Sequence, residues 1–360
     1  MATNAYSHAP IDIKPTTLTI LPTYRCTAAC AQCCFESNPS IPTSLPHQDI
    51  ARYIDEAKST FPDLKLIVFS GGEPFLLGRH LYGAIRHANR HGLKTRCVTN
   101  AFWGRTKATA NRTVSRLLEC GLTEINISSG SDHQKWVDLK CIENAVDALL
   151  THHIPTLLTV EADSSTSRCV DAIAESEIIR RALADPARNF TLQTNSWMPF
   201  HEDYRSRGNP IGLKGLTSGC KQIFNNLVVT PTAQLSACCG LTFEHIPELK
   251  IGNLHENSMA EIFERASTDF LKIWLHVDGP GTILRKLFGT SIDDELKNVR
   301  HICEACAIMH QNPIIREAIA TRAQDFAPDV LARFELGKAF AGLRASNRID
   351  THAAATTRQE

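Results

Sequence analysis

Six short apolar runs, separated by amphipathic stretches between about residues 16 and 200, constrain the fold of this chain more than any other feature. The runs are 17–24, 65–70, 95–100, 124–129, 156–161 and 190–196, most of them rich in Val, Ile, Leu and Thr, as buried parallel strands are. Helical patterns stand between them at 48–60, 81–91, 109–120, 140–152 and 171–184. Gly92 and Gly121 follow two of these patterns directly, where a left-handed helix cap is needed. Six βα units in a row predict an α/β fold: a parallel sheet with helices outside it, curled into a partial (β/α)6 TIM-like barrel.

The rhythm changes past residue 210. Residues 227–230 and 234–238 read as two strands around a Pro231-Thr232-Ala233 turn, a β-hairpin. A helix is expected over 254–266, capped by Asn253, and helical or irregular chain over 271–308. The predicted division is a lead at 1–16, a barrel at 17–210, a small extension of hairpin and helices at 211–310, and a helical tail at 311–360, frayed beyond Ala345.

Charge and composition narrow the function. The 360 residues carry 38 Lys and Arg against 38 Asp and Glu, so the chain has no electrostatic footprint for nucleic acid or an anionic membrane. No apolar run reaches the roughly 20 residues that span a bilayer, and residues 1–15 lack the layout of a signal peptide. A cytoplasmic protein is expected. Thirteen cysteines, an odd total without a secretory signal, point to metal ligands rather than to disulfides. Cys97, Cys120, Cys141 and Cys169 are scattered singly and read as small buried hydrophobes. The others cluster.

Cys26, Cys30 and Cys33 directly follow the first strand. Three thiolates from one loop can wrap a corner of a [4Fe–4S] cube and leave one iron open for a substrate or cofactor. Zinc is the inorganic rival. Cys34 is read as a spare thiol. Ser70-Gly71-Gly72-Glu73-Pro74 closes the second strand, at the end of parallel strands where barrel active sites sit.

Together, Cys26-x3-Cys30-x2-Cys33 after a first strand and Gly71-Gly72-Glu73-Pro74 after a second resemble the radical S-adenosylmethionine (SAM) superfamily. The resemblance implies a SAM-binding [4Fe–4S] cluster on Cys26, Cys30 and Cys33. It also implies that Gly71, Gly72, Glu73 and Pro74 meet the methionine amino group of SAM. Gln32 stands where an aromatic residue is frequent in the family. Asn100, Ser128 and Ser129, at the ends of the third and fourth strands, match the positions of ribose and carboxylate contacts. Asp132, His133 and Glu161 are candidates to face substrate as catalytic residues, with an Asp N-cap and a solvated imidazole as the bland reading of the first two. Trp197 reads as core.

The late cysteines form a second group: Cys220, then Cys238 and Cys239 closing the hairpin, then Cys303-Glu-Ala-Cys306. The stretch from Thr230 to Cys238 followed by Ile251-Gly-Asn-Leu resembles the SPASM or twitch extension of radical SAM enzymes, with Ala233 in place of the usual glycine. The resemblance implies one auxiliary [4Fe–4S] cluster on Cys220, Cys238, Cys303 and Cys306, with Cys239 as the alternative to Cys238. His301 and His310 read as surface residues.

The implied reaction is reductive cleavage of SAM to a 5′-deoxyadenosyl radical that abstracts a substrate hydrogen. Oxidative modification of a ribosomal peptide, by crosslinking or dehydrogenation, is the leading reading, although no leader-binding domain precedes the first strand. Oxidation or rearrangement of a small metabolite such as a sugar or nucleoside is the alternative. A non-catalytic zinc or cluster module is the rival from another class. A reductase, flavodoxin or ferredoxin is the expected electron donor.

Overall fold

A computed structural model describes residues 13–163, 167–198 and 207–356, with side chains to residue 340. The parallel strands are β1 (Thr17–Ile20), β2 (Leu66–Phe69), β3 (Lys94–Thr99), β4 (Glu124–Ser129), β5 (Thr156–Glu161) and β6 (Phe190–Asn195). Each pairs in parallel with the next, and the helices fall between them as the periodicity requires. Helix His47–Thr60 buries Ile50, Tyr53, Ile54 and Ala57, one stripe at helical spacing, against the sheet. The expected helix over 171–184 is two helices, Cys169–Glu175 and Glu177–Ala184, separated at Ser176, whose extended backbone (φ −53°, ψ 133°) interrupts the spiral.

The strands are not apolar on both faces. Ile125, Ile127, Leu158 and Val160 point outward into the core under the helices. Asn126, Thr159 and Gln193 point inward and bond to one another: Thr159 Oγ1 donates to Asn126 Oδ1 at 3.1 Å and Gln193 Nε2 to Thr159 Oγ1 at 3.2 Å. The open barrel therefore has a polar interior instead of stacked aliphatic layers.

Beyond residue 210 the chain extends this same sheet. β7 (Asn226–Val229) pairs in parallel with β1, and β8 (Gln234–Ser236) and β9 (Lys250–Asn253) add antiparallel strands, giving the order β6-β5-β4-β3-β2-β1-β7-β8-β9. β7 thus satisfies the hydrogen-bonding edge that β1 would otherwise expose. The hairpin turn places Ala233 at φ 59°, the left-handed region that explains a usual glycine at this position. The next helix is Met259–Ala266, not 254–266: its cap is Ser258, whose hydroxyl accepts from Glu261 N while Glu261 reaches back, and Asn253 ends β9.

Helix Phe270–Phe288 is kinked at Gly279 (φ 72°) before Pro280. With helix Ile302–Gln311 and helix Pro313–Thr356 it encloses a second core around Trp274, Phe270 and Phe243. The last helix continues through the tail expected to fray at 345, as far as Thr356. No helix among the described residues is long and apolar enough to cross a membrane.

Candidate active site

The loop after β1 is held by backbone bonds before any side chain contributes. Cys26 N donates to Asn38 O at 3.1 Å, and Cys33 N to Cys30 O at 3.2 Å. The glycine loop after β2 clasps it: Gly72 N donates to Thr23 O at 2.8 Å and Glu73 N to Arg25 O at 2.9 Å. A Cβ at Gly72 would lie 2.1 Å from Arg25 O, and one at Gly71 (φ 111°) 2.7 Å from Thr23 O. The paired glycines are thus required by the approach of the cysteine loop's own backbone.

A cavity of about 300 Å³ opens above the barrel interior. Cys26, Cys30 and Cys33 line it, with Gly71, Gly72, Asn100 and Ser128. Glu73 and Pro74 lie behind this wall. The fully buried Glu73 carboxylate accepts from Phe75 N at 3.0 Å, Thr99 Oγ1 at 2.9 Å and Asn100 N at 2.9 Å. Burial pushes its pKa up to about 7 against those three donors. Glu73 therefore ties the β2 loop to the end of β3. Asn100 also points its amide at the cluster loop, with Nδ2 2.9 Å from Thr27 Oγ1 and 3.7 Å from Cys26 Sγ. Ser129 is buried and accepts from Gln134 Nε2 at 3.5 Å, outside the cavity wall.

The three candidates after β4 and β5 divide. Asp132 and Glu161 are buried and share Arg207, whose Nη1 lies 2.9 Å from Glu161 and Nη2 3.7 Å from Asp132, with Lys135 Nζ 2.7 Å from Asp132. Neither carboxylate lines the cavity. Asp132 makes no N-cap hydrogen bond. His133 does line it and is half-buried: burial lowers its pKa to about 4, which keeps the imidazole neutral. Its ring centroid is 6.1 Å from that of Trp197, which stands in the cavity wall instead of the core. His133 Nδ1, Trp197 Nε1, Gln32 Oε1 and Ser37 Oγ are buried with no hydrogen-bond partner among the described residues, and all four residues line this one cavity. Such orphaned groups await a polar ligand. Arg207, Asn126 and Asn195 were not legible as site residues, since no motif surrounds them.

The second cysteine group is assembled from three segments. Cys220 precedes β7, Cys238 follows β8, and Cys303 and Cys306 lie in the first turns of helix Ile302–Gln311 on one face. His301 caps that helix by accepting from Cys303 N at 3.1 Å, and His310 is buried, so neither is simply a surface residue. A helix N-terminus favours thiolates. Gly240 completes the cradle: its amide donates to Cys238 Sγ at 3.0 Å, and a Cβ there would lie 3.1 Å from both Cys238 Sγ and Cys303 Sγ. The hydrogen bond between Cys220 and Cys238 lowers Cys220 and raises Cys238, and burial raises Cys303 to about 12.

Among the described residues no three cysteine sulfurs come within 4.8 Å of one another. A zinc ion, at about 2.3 Å from each sulfur, draws its thiolates closer than that.

Cys239 turns the other way. It is hydrogen-bonded with Thr19 of β1 and lines the barrel cavity with Gly240 and Leu241. The chain then climbs to the cysteine loop, where Phe243 meets Phe35 edge-on at 6.0 Å and Glu244 accepts from the Tyr24 hydroxyl. The extension therefore supplies one wall of the cavity.

Two family models match the chain: the radical SAM superfamily over residues 20–163, and the SPASM iron–sulfur cluster-binding domain over residues 220–307. A putative peptide biosynthesis protein of Bacillus subtilis (strain 168), YydG, is 27% identical over 124 residues, which are 34% of this chain and 38% of that relative. Among solved structures, native anSMEcpe with bound AdoMet superposes at a TM-score of 0.53, with 12% identity over 89% of this chain and 100% of that one. Native anSMEcpe with bound AdoMet and Cp18Cys peptide superposes at 0.51, with 13% identity over 89% of this chain and 99% of that one.

Proposed function

The chain belongs to the radical SAM superfamily and carries a SPASM iron–sulfur domain, and from that premise we propose that it takes a hydrogen atom from a peptide and so modifies it. The observation that carries the peptide reading is the chemistry of the cavity wall. Among the described residues it holds Asn100, Asn126, Ser128, Asn195, a neutral His133 and Trp197, and no Lys, Arg, Asp or Glu. Amide and hydroxyl groups match the alternating donors and acceptors of a peptide backbone. The peptide biosynthesis relative supports the same substrate class.

Cys26, Cys30 and Cys33 would hold the [4Fe–4S] cluster, which with SAM would supply a 5′-deoxyadenosyl radical. The chain's own residues do the rest. Asn100 orients the Cys26 sulfur through its amide, and Gly71 and Gly72 shape the wall beside it. Phe35, Val98 and Leu241 keep water from that wall. The four thiolates Cys220, Cys238, Cys303 and Cys306 leave no ligand position for substrate, which suits electron transfer and a net oxidation such as a crosslink or dehydrogenation. An external one-electron donor of the flavodoxin or ferredoxin type completes the cycle.

Cys239 supports a second outcome. Cys239 lines the cavity, and a thiol can return a hydrogen atom to a carbon radical. Return to the opposite face inverts the carbon without net oxidation, leaving a thiyl that one electron and one proton restore. The test is 5′-deoxyadenosine formation by the reduced protein with short peptides encoded beside its gene, run in deuterated water. A product lighter by two hydrogens marks oxidation, and one carbon-bound deuterium at unchanged oxidation level marks inversion. Cleavage coupled only to a free sugar or nucleoside would overturn the peptide reading.

A further inference from the structure

Away from the cavity, two barrel helices bring three ligand atoms together. Asp55 lies on helix His47–Thr60, His87 in the last turn of helix Arg79–Arg90, and His91 at that helix's C-cap. Both imidazoles direct Nε2 at the same carboxylate oxygen: His87 lies 2.6 Å and His91 2.7 Å from Asp55 Oδ1. The three atoms lie within 4.8 Å of one another, and no other histidine, cysteine or carboxylate trio among the described residues does so. The two rings, at positions i and i+4, stand 5.0 Å apart and tilted by 68°, which lets their nitrogens converge on one point.

We propose that Asp55, His87 and His91 form a binding site for a divalent transition-metal ion of the zinc type. Two imidazole nitrogens and one carboxylate oxygen are a donor set that suits zinc and its neighbours and not magnesium or calcium, which take oxygen alone. Loading exchanges the carboxylate's two N–H donors for one cation, with the ring protons moved to Nδ1. The helix end contributes as well, because its carbonyls put partial negative charge beside the ion. The partial exposure of all three side chains lets water fill the remaining position.

The place in the fold assigns the role. The turn after His91 leads through Gly92 into β3 at Lys94, so the site is at the N-terminal end of the parallel strands. The cysteine loop and the Gly71–Gly72 loop leave β1 and β2 at the opposite end. Barrels keep their chemistry at the C-terminal end and their stability at the other. The ion therefore ties the first two helices together and takes no part in hydrogen abstraction.

The experiment uses the cluster-loaded protein, dialysed anaerobically against zinc chloride and desalted. The wild type is expected to retain one zinc more per chain than the His87→Gln/His91→Gln double variant. Zinc is also expected to raise the thermal midpoint of the wild type by several degrees and leave that of the double variant unchanged. The variants lie outside the cavity, so SAM cleavage at the wild-type rate certifies that they are folded. Asp55→Asn serves as an independent variant should the double one fail that check. Equal zinc retention by wild type and folded variants would reduce the cluster to an ion pair and overturn the proposal.

Discussion

Cys26, Cys30 and Cys33 come from one loop pinned to its neighbours by backbone hydrogen bonds, whereas Cys220, Cys238, Cys303 and Cys306 come from three segments that only the second core brings together. The first group lines the barrel cavity, and the second, with Cys238 buried and the other three half-buried, does not. Burial and then the Glu73 carboxylate push Cys26 up to about 12. In the second group burial likewise raises Cys303 and Cys306, while the Cys220–Cys238 hydrogen bond lowers Cys220 and raises Cys238. The contrast teaches that place separates the two groups: the first borders the barrel cavity, and the second lies beside it, with Cys238 bonded to Cys220 and to the Gly240 N–H.

The strongest way to break this comparison is to empty one centre and watch the other. Replacing Cys26, Cys30 and Cys33 together by alanine is expected to abolish SAM cleavage while about half of the iron remains, because the second group folds on a separate core. Loss of all iron would show that the centres depend on each other.

Adjacent cysteines sharpen it further. Cys238→Ser is expected to lose the auxiliary iron, since Cys238 accepts the Gly240 amide inside the cradle. Cys239→Ser is expected to keep that iron and to alter only the fate of the substrate radical, read by mass spectrometry of the product. Equal iron loss in both variants would place Cys239 among the ligands.

The smallest effect expected concerns the cavity's neutral wall. His133 has its pKa lowered to about 4 from an ordinary 6.5. The folded protein therefore binds fewer protons than the unfolded chain between those values, and stability rises with pH across that window. The change is at most about 3 kcal/mol. His133→Gln should flatten the rise in denaturation midpoints between about pH 4 and pH 6.5. An unchanged slope would mean that His133 is solvated and the wall is not neutral.

Much of the barrel was legible because its signals are local. β4 and β5 match their apolar runs residue for residue, and the cysteine spacing lies within one loop. The helix over 171–184 was misjudged because Ser176 breaks it without a proline or glycine to announce the break. The helix starts at Met259 and not after Asn253 because Ser258 and Glu261 form a capping box. Trp197 reads as core and stands in the cavity wall because composition does not say which wall a side chain faces.

The sequence by itself determined the βα rhythm, the three-cysteine loop and the paired glycines, since strand period, loop spacing and close backbone approach are properties of neighbouring residues. Only the tertiary structure decided that β7 continues the barrel sheet, that Arg207 joins Asp132 to Glu161, and that Cys239 looks into the cavity while Cys238 looks away. These depend on which surfaces meet when distant segments pack, and neighbouring residues in a chain routinely point into different environments.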